Sequence, residues 1–165
     1  SSAMCGTFKR EILAGIHFLT AHTRTGSSAI SADTLKVAMF TNSSSIDADT
    51  TGYTTGNEVS GTNYSAGGAA LSSVTIGLAD NSSSVPTAFV DFADTTFSSS
   101  TISSARGALI YNSTLSSAGT GSTTNHAADP AIAVINFGGD KSSSAGDFTI
   151  QYPANDANNA VIRIA

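Results

Sequence analysis

Residues 105–112 read ARGALIYN and residues 131–137 read AIAVINF. Both are near-continuous apolar runs with β-branched and aromatic residues, too short for long helices. They suit central strands covered on both faces. Outward from them the chain reads strand after strand. The apolar patterning predicts strands at 35–41, 58–60, 69–78, 87–92, 147–152 and 160–165. Ser, Asn, Gly and Asp crowd the stretches between, with long connections at 42–56, 79–86 and 113–130. FGGDKSSSAGDF (137–148) reads as a hairpin loop between two adjacent strands.

One segment has a different period. In GTFKREILAGIHFLT (6–20), Phe8, Ile12, Ile16 and Leu19 recur at helical spacing. This predicts an amphipathic helix with Thr7 as N-cap and Lys9, Arg10 and Glu11 mostly off the apolar stripe. Gly15 weakens its interior by about 1 kcal/mol relative to Ala, so the helix needs docking to persist. The expected architecture is all-β: a two-sheet antiparallel sandwich, jelly-roll-like, with one N-terminal amphipathic helix. Residues 1–33 form the helix and a polar arm, and residues 34–165 the sandwich domain. An immunoglobulin-like sandwich is the second choice, without the Trp or the Cys pair that would support it.

Composition narrows the function classes. The chain has 165 residues, enough for one core without disulfides or metal. Charged residues make up 12%, and the formal net charge is -5. A nucleic-acid binder would need a basic face, so no nucleic acid is expected. Polarity comes instead from 27 Ser and 21 Thr. No apolar run approaches the ~20 residues that span a bilayer, so no membrane is expected. The stretch after Lys9 and Arg10 is broken by Glu11, His17 and His22 and does not read as a signal peptide. Cys5 stands alone, with no partner for an internal disulfide.

The strongest motif for chemistry lies in 47–58. Asp47, Asp49, Thr51, Gly52 and Glu58 fall at positions 1, 3, 5, 6 and 12 of a calcium-loop pattern. Thr54 stands where an apolar residue normally anchors such a loop, and the flanks are strand-like, so a plain loop is the expected reading. Metal and cofactor sites are otherwise not expected. His17 and His22 are five apart, off one helix face, and His126 sits in a polar loop. Asp91 and Asp94, three apart, point to opposite faces of a strand. Gly67–Gly68 and Gly138–Gly139 open no helix and make no phosphate loop. Sequons at Asn42, Asn63, Asn81 and Asn112 are expected by chance in so hydroxyl-rich a chain. There is no nucleophile elbow and no Ser-x-x-Lys, so no enzyme is expected. Arg106 and Arg163 each interrupt an apolar strand, where a guanidinium can pair with Asp across a sheet or at a subunit contact.

The blocks TFKREILAGIH, TLKVAMFTN, DADTTGYTTGNEVSG, YSAGGAAL, VDFADTTF, ARGALIYN and NFGGDKSSSAGDFTIQYP together resemble a family of small virion structural proteins of tailed bacteriophages. The resemblance runs from about Phe8 to Ile164, and its last two blocks are the most specific. The chain departs from the pattern at 17–33, where a polar segment looks inserted, and at 113–130. The resemblance implies a non-enzymatic virion component, made in the bacterial host cytoplasm. Placing it on the capsid surface as a decoration (cement) protein is an inference from its build: a compact acidic β-domain with one docking helix. Its partners would be the major capsid protein and itself, as a homo-dimer or homo-trimer. Phe8, Ile12 and Ile16 would dock the helix, with Arg106 and Arg163 as further partner-binding residues. The alternative is a tail or head fibre component with a receptor- or glycan-binding sandwich, for which Tyr53, Tyr64 and Tyr152 are the aromatic candidates.

Overall fold

A computed structural model describes residues 1–120 and 125–165. The chain folds into two antiparallel sheets and one short helix, an arrangement compatible with a sandwich. The larger sheet runs β1 (Ala3–Met4), β8 (Ala131–Ile150), β7 (Thr95–Asn112), β2 (Leu35–Phe40), β4 (Ala69–Ala70), with β3 (Gly61–Thr62) also paired to β7. The smaller sheet runs β5 (Thr75–Asp80), β6 (Pro86–Asp91), β9 (Ile162–Ile164). The eight strands in two Greek keys that define a jelly roll are not traced by this order.

The two apolar runs are neighbours. Leu109 pairs with Val134 and Ile110 with Ala133, and β2 lies on the other side of β7 with Val37 opposite Ile110. Val37, Met39, Leu109, Ile110 and Ile132 have essentially no exposure. This is the centre of the core.

The strands run much further than expected. β7 has 18 residues and β8 has 20, and β8 passes straight through the predicted hairpin loop at 137–148. That segment has a loop's composition because the ladder it joins is repeatedly bulged. Register shifts fall between Phe97 and Ser100, Ser100 and Ile102, Ile102 and Ala105, and Ala105 and Gly107. Ser99, Ser104 and Ala145 take positive φ at the bulges. Short polar side chains replace the missing ladder bonds. Ser99 N donates to Asp147 Oδ1 (2.9 Å), Ser104 N to Ser142 Oγ (3.0 Å) and Ala145 N to Thr101 Oγ1 (3.0 Å). The hydroxyl-rich composition therefore does structural work in the ribbon.

Three other expectations are corrected. The predicted strand at 69–78 is two strands in different sheets, β4 and β5, so the chain crosses between sheets at 71–74. The predicted connection at 79–86 shortens to a tight turn, closed by Asn81 N donating to Val85 O at 3.0 Å. The helix α1 is Gly6–Leu13, eight residues, with Cys5 rather than Thr7 as N-cap. Gly15 ends it instead of weakening it. With φ +70, Gly15 reverses the chain, Gly15 N donates to Ile12 O (3.1 Å) and Ile16 N to Glu11 O (3.0 Å). That double closure is a Schellman motif, whose left-handed residue is usually Gly. The part of the predicted 113–130 connection at 121–124 lies outside the described residues.

Candidate functional site

The reversal at Gly15 swings the arm back under α1 and builds a buried polar chain. His17 Nε2 lies 2.7 Å from Glu11 Oε2. The other ring nitrogen, Nδ1, lies 3.1 Å from Asn112 Nδ2. Asn112 Nδ2 also donates to Asp33 Oδ2 at 2.6 Å, which accepts Phe18 N at 2.8 Å. Glu11, His17 and Asn112 are all buried, and Phe8 meets the imidazole edge-on at 5.0 Å. Asn112 can offer His17 only a donor, so Nδ1 accepts and Nε2–H donates to Glu11. That is the neutral imidazole, and burial correspondingly pulls the His17 pKa below 6.5, against the opposing pull of Glu11. The chain of contacts ties α1, the arm and the end of β7 together. Glu11 Oε1 and Thr7 Oγ1 are buried beside it without hydrogen bonds. Arg10 approaches Glu11 Oε1 at 3.7 Å and donates to Asn125 O at 2.6 Å.

The 47–58 loop is built for packing. Glu58, at the twelfth calcium position, accepts Tyr53 OH on Oε2 (2.6 Å) and Tyr64 OH (2.7 Å) and Gly67 N (2.8 Å) on Oε1. Asp47 Oδ1 accepts Asp49 N within the loop at 2.9 Å. Among the described residues, no three acidic, His or Cys side chains are grouped to hold a metal. Asp47, Asp49, Thr51 and Glu58 therefore do not form the calcium constellation. Gly52 serves close approach: a Cβ there would stand 2.6 Å from Ala128 O, where the loop lies against the start of β8. Tyr53 stacks on Tyr111 at 4.5 Å, and burial with Glu58 nearby raises the pKa of Tyr53 and Tyr64.

The predicted partner-binding residues separate. Phe8 is 1% exposed and belongs to this chain's own core, so the predicted docking stripe is corrected: α1 uses Phe8 at home. Ile12 packs half-buried against that core, and Ile16 lies beyond the helix end. Glu11, expected off the stripe, is buried, and Leu13 is the exposed apolar residue of α1, at 90%. Arg106 pairs across the ribbon with Asp140 at 3.0 Å, the intrachain form of the ion pair expected of it. Arg163 is exposed on β9 opposite Phe89 of β6. The three places do not converge.

What the structure does gather is an apolar face on the smaller sheet. Register aligns Ile76, Val90 and Ile162 in one row and Leu78, Ala88 and Ile164 in the next. Val90 and Ile162 are buried, whereas Ile76, Leu78 and Ile164 are 53%, 74% and 46% exposed. Between this face and the arm lies a groove of about 270 Å³ lined by Ile12, Phe18, Leu19, Ile76, Ile162 and Ile164. Exposed contiguous apolar surface of this kind marks interaction sites. The same-parity Ile and Leu in TIGLAD (75–80) were the sequence signal for it.

Comparison with protein-family models, with curated proteins and with solved structures finds no match. Among the described residues, no helix is long and apolar enough to cross a membrane.

Proposed function

We propose that the chain is a structural protein of a tailed-bacteriophage virion, a decoration (cement) protein that binds the major capsid protein on the head surface and stabilises the shell without chemistry of its own. The observation that carries this reading is the resemblance centred on ARGALIYN and NFGGDKSSSAGDFTIQYP. Those blocks occupy β7, β8 and the residues just after β8. They coincide with the ribbon that builds the fold. A family held together by such blocks is held by architecture, which suits a protein whose work is buried area.

Two further features support it. The buried polar cluster around Glu11 and the half-buried one around Glu58 both fix the chain's own segments. The exposed apolar residues gather on the smaller sheet and at Leu13, where a shell subunit can cover them. The fibre alternative calls for exposed aromatics. Tyr53 and Tyr64 turn their hydroxyls onto Glu58, and Tyr152 packs on Phe92 with ring centroids 5.7 Å apart.

Copy number tests the reading. Quantitative mass spectrometry of purified particles, with heads and tails separated, should find hundreds of copies with the heads. A handful of copies with the tail fraction would replace it with the fibre reading, and absence from particles would end it.

A further inference from the structure

We propose that β5 pairs with the β5 of a second copy of this chain, antiparallel about a two-fold axis beside Gly77, extending the smaller sheet across two molecules. This deepens the self-association in the reading above, and it stands or falls in solution whatever particle the chain belongs to.

Among the described residues, β5 pairs on one side only, with β6. Natural edge strands are usually blunted by Lys, Pro, a bulge or a covering segment. TIGLAD has neither Lys nor Pro, no residue of it takes positive φ, and its register with β6 is unbroken. The direction of its backbone groups follows from the turn. Asn81 N donates to Val85 O, one step beyond the Asp80–Pro86 pair. Bonding alternates along an antiparallel ladder, so Thr75, Gly77 and Ala79 face β6 while Ile76, Leu78 and Asp80 turn their N–H and C=O outward.

Those outward groups are self-complementary. Setting Gly77 against its counterpart places Ile76 opposite Leu78 of the second copy, twice by symmetry. Each such pair exchanges two hydrogen bonds. The side chains agree with the backbone. The row Ile162–Val90–Ile76 continues into Leu78–Ala88–Ile164 of the other molecule, so two apolar rows cross the junction unbroken. Leu78 of the second copy then lies beside Ile76 at the mouth of the groove under Phe18 and Leu19. Asp80 is the single charged residue of β5 and lies at the outer end of the pairing, opposite Val74, clear of the Ile76–Leu78 rungs. A one-residue slip throws Ile76 onto the opposite face. The opposite face is closed at the axis, where the Phe89 ring occupies the space a Gly77 side chain would take.

One short strand pair with four large side chains falls among small interfaces, below about 1,200 Å² in total. Dissociation on the order of micromolar to tens of micromolar follows, complete where copies are held close together. Sedimentation velocity across that range should show a monomer–dimer equilibrium. Leu78→Pro removes an outward N–H while leaving the bonds to β6, and should weaken the dimer at least tenfold. Leu78→Lys should do the same should Pro disturb the fold. Ile76→Cys mixed with Leu78→Cys should form a disulfide-linked dimer on mild oxidation, and neither variant alone should, because each Cys then faces an uncrosslinkable neighbour. A chain that stays monomeric throughout, a dimer indifferent to both Leu78 variants, or crosslinking as strong in the single variants as in the mixture would overturn the pairing.

Discussion

His17 Nε2 and Glu11 Oε2 lie 2.7 Å apart in the interior, six residues apart in sequence, with both side chains at 0% exposure. The pair exists because Gly15 folds the chain back on itself. Its other end is Asn112, so the contact decides whether the arm stays against β7.

The imidazole makes stability pH-dependent. The folded His17 pKa is lowered from 6.5 by burial, so the unfolded chain takes up the proton more readily. Its contribution is complete above the unfolded value and is lost as pH falls from about 6.5 through the lowered folded value. Protonation also sets Nδ1–H against the Asn112 amide, two donors face to face. Urea denaturation from pH 8 to pH 5 should show falling stability over that window. His17→Gln should flatten the profile while costing about 1–3 kcal/mol at pH 7.5. A wild-type profile that rises toward pH 5 would contradict the neutral imidazole.

Glu11 and Arg10 should behave oppositely despite being neighbours. Glu11→Ala strips a buried acceptor from His17 and leaves a cavity, a loss of about 2–4 kcal/mol by chemical denaturation. Arg10→Ala removes an exposed side chain with one hydrogen bond to Asn125 O and a 3.7 Å approach to Glu11, and should stay within about 1 kcal/mol of wild type. Equal effects would mean that the Glu11 carboxylate is not the anchor.

Glu58 gives a test of the 47–58 loop that needs no activity. Tyr64→Phe and Tyr53→Phe each remove one hydroxyl from the carboxylate and should cost about 1–2 kcal/mol, Tyr64 the more because it also accepts Met39 N at 2.8 Å. Calcium or a chelator should leave the thermal midpoint unchanged within error. A midpoint raised by several degrees with calcium would restore the ion site.

Asp91 should be stabilised by neutralisation. It is 6% exposed, its Oδ1 has no hydrogen bond, and burial raises its pKa above 3.8. A raised folded value means its favourable contribution is present below the unfolded pKa and is lost as pH rises through the folded one. Asp91→Asn should therefore gain about 1 kcal/mol at pH 7, and the gain should vanish toward pH 3. Destabilisation at pH 7 would show that the backbone groups of Phe92 and Val161, which favour the ionised form, outweigh its burial.

Much of this was readable in advance for a definite reason. Leu109, Ile110, Ile132 and Val134 sit in runs whose burial on both faces leaves no other assignment, and they are the core. The ribbon beyond them was hidden because bulges break the period of two on which strand recognition depends. Ser99, Ser104 and Ala145 interrupt the alternation, and Gly138–Gly139 imitate a turn. Glu11 was misplaced by its chemistry. At three residues from Phe8 it lies on the buried face, but a carboxylate reads as surface until a partner such as His17 is known. Asp33 and Asn112 are 79 residues apart. No local pattern joins them to His17, so that network became visible only with tertiary contact.

The long ribbon also dictates how the chain reaches its shape. Thr95 meets Ile150 at one end and Tyr111 meets Ala131 at the other, with the whole 113–130 connection to be closed before the first rung forms. Zippering has to begin at the Tyr111–Ala131 end, where the entropic toll is smallest, and travel outward across five irregular steps. Such non-local pairing makes for slow assembly, in milliseconds to seconds. Insertions into the connection should slow refolding more than they change the unfolding rate, so the length of that one loop sets the pace of maturation.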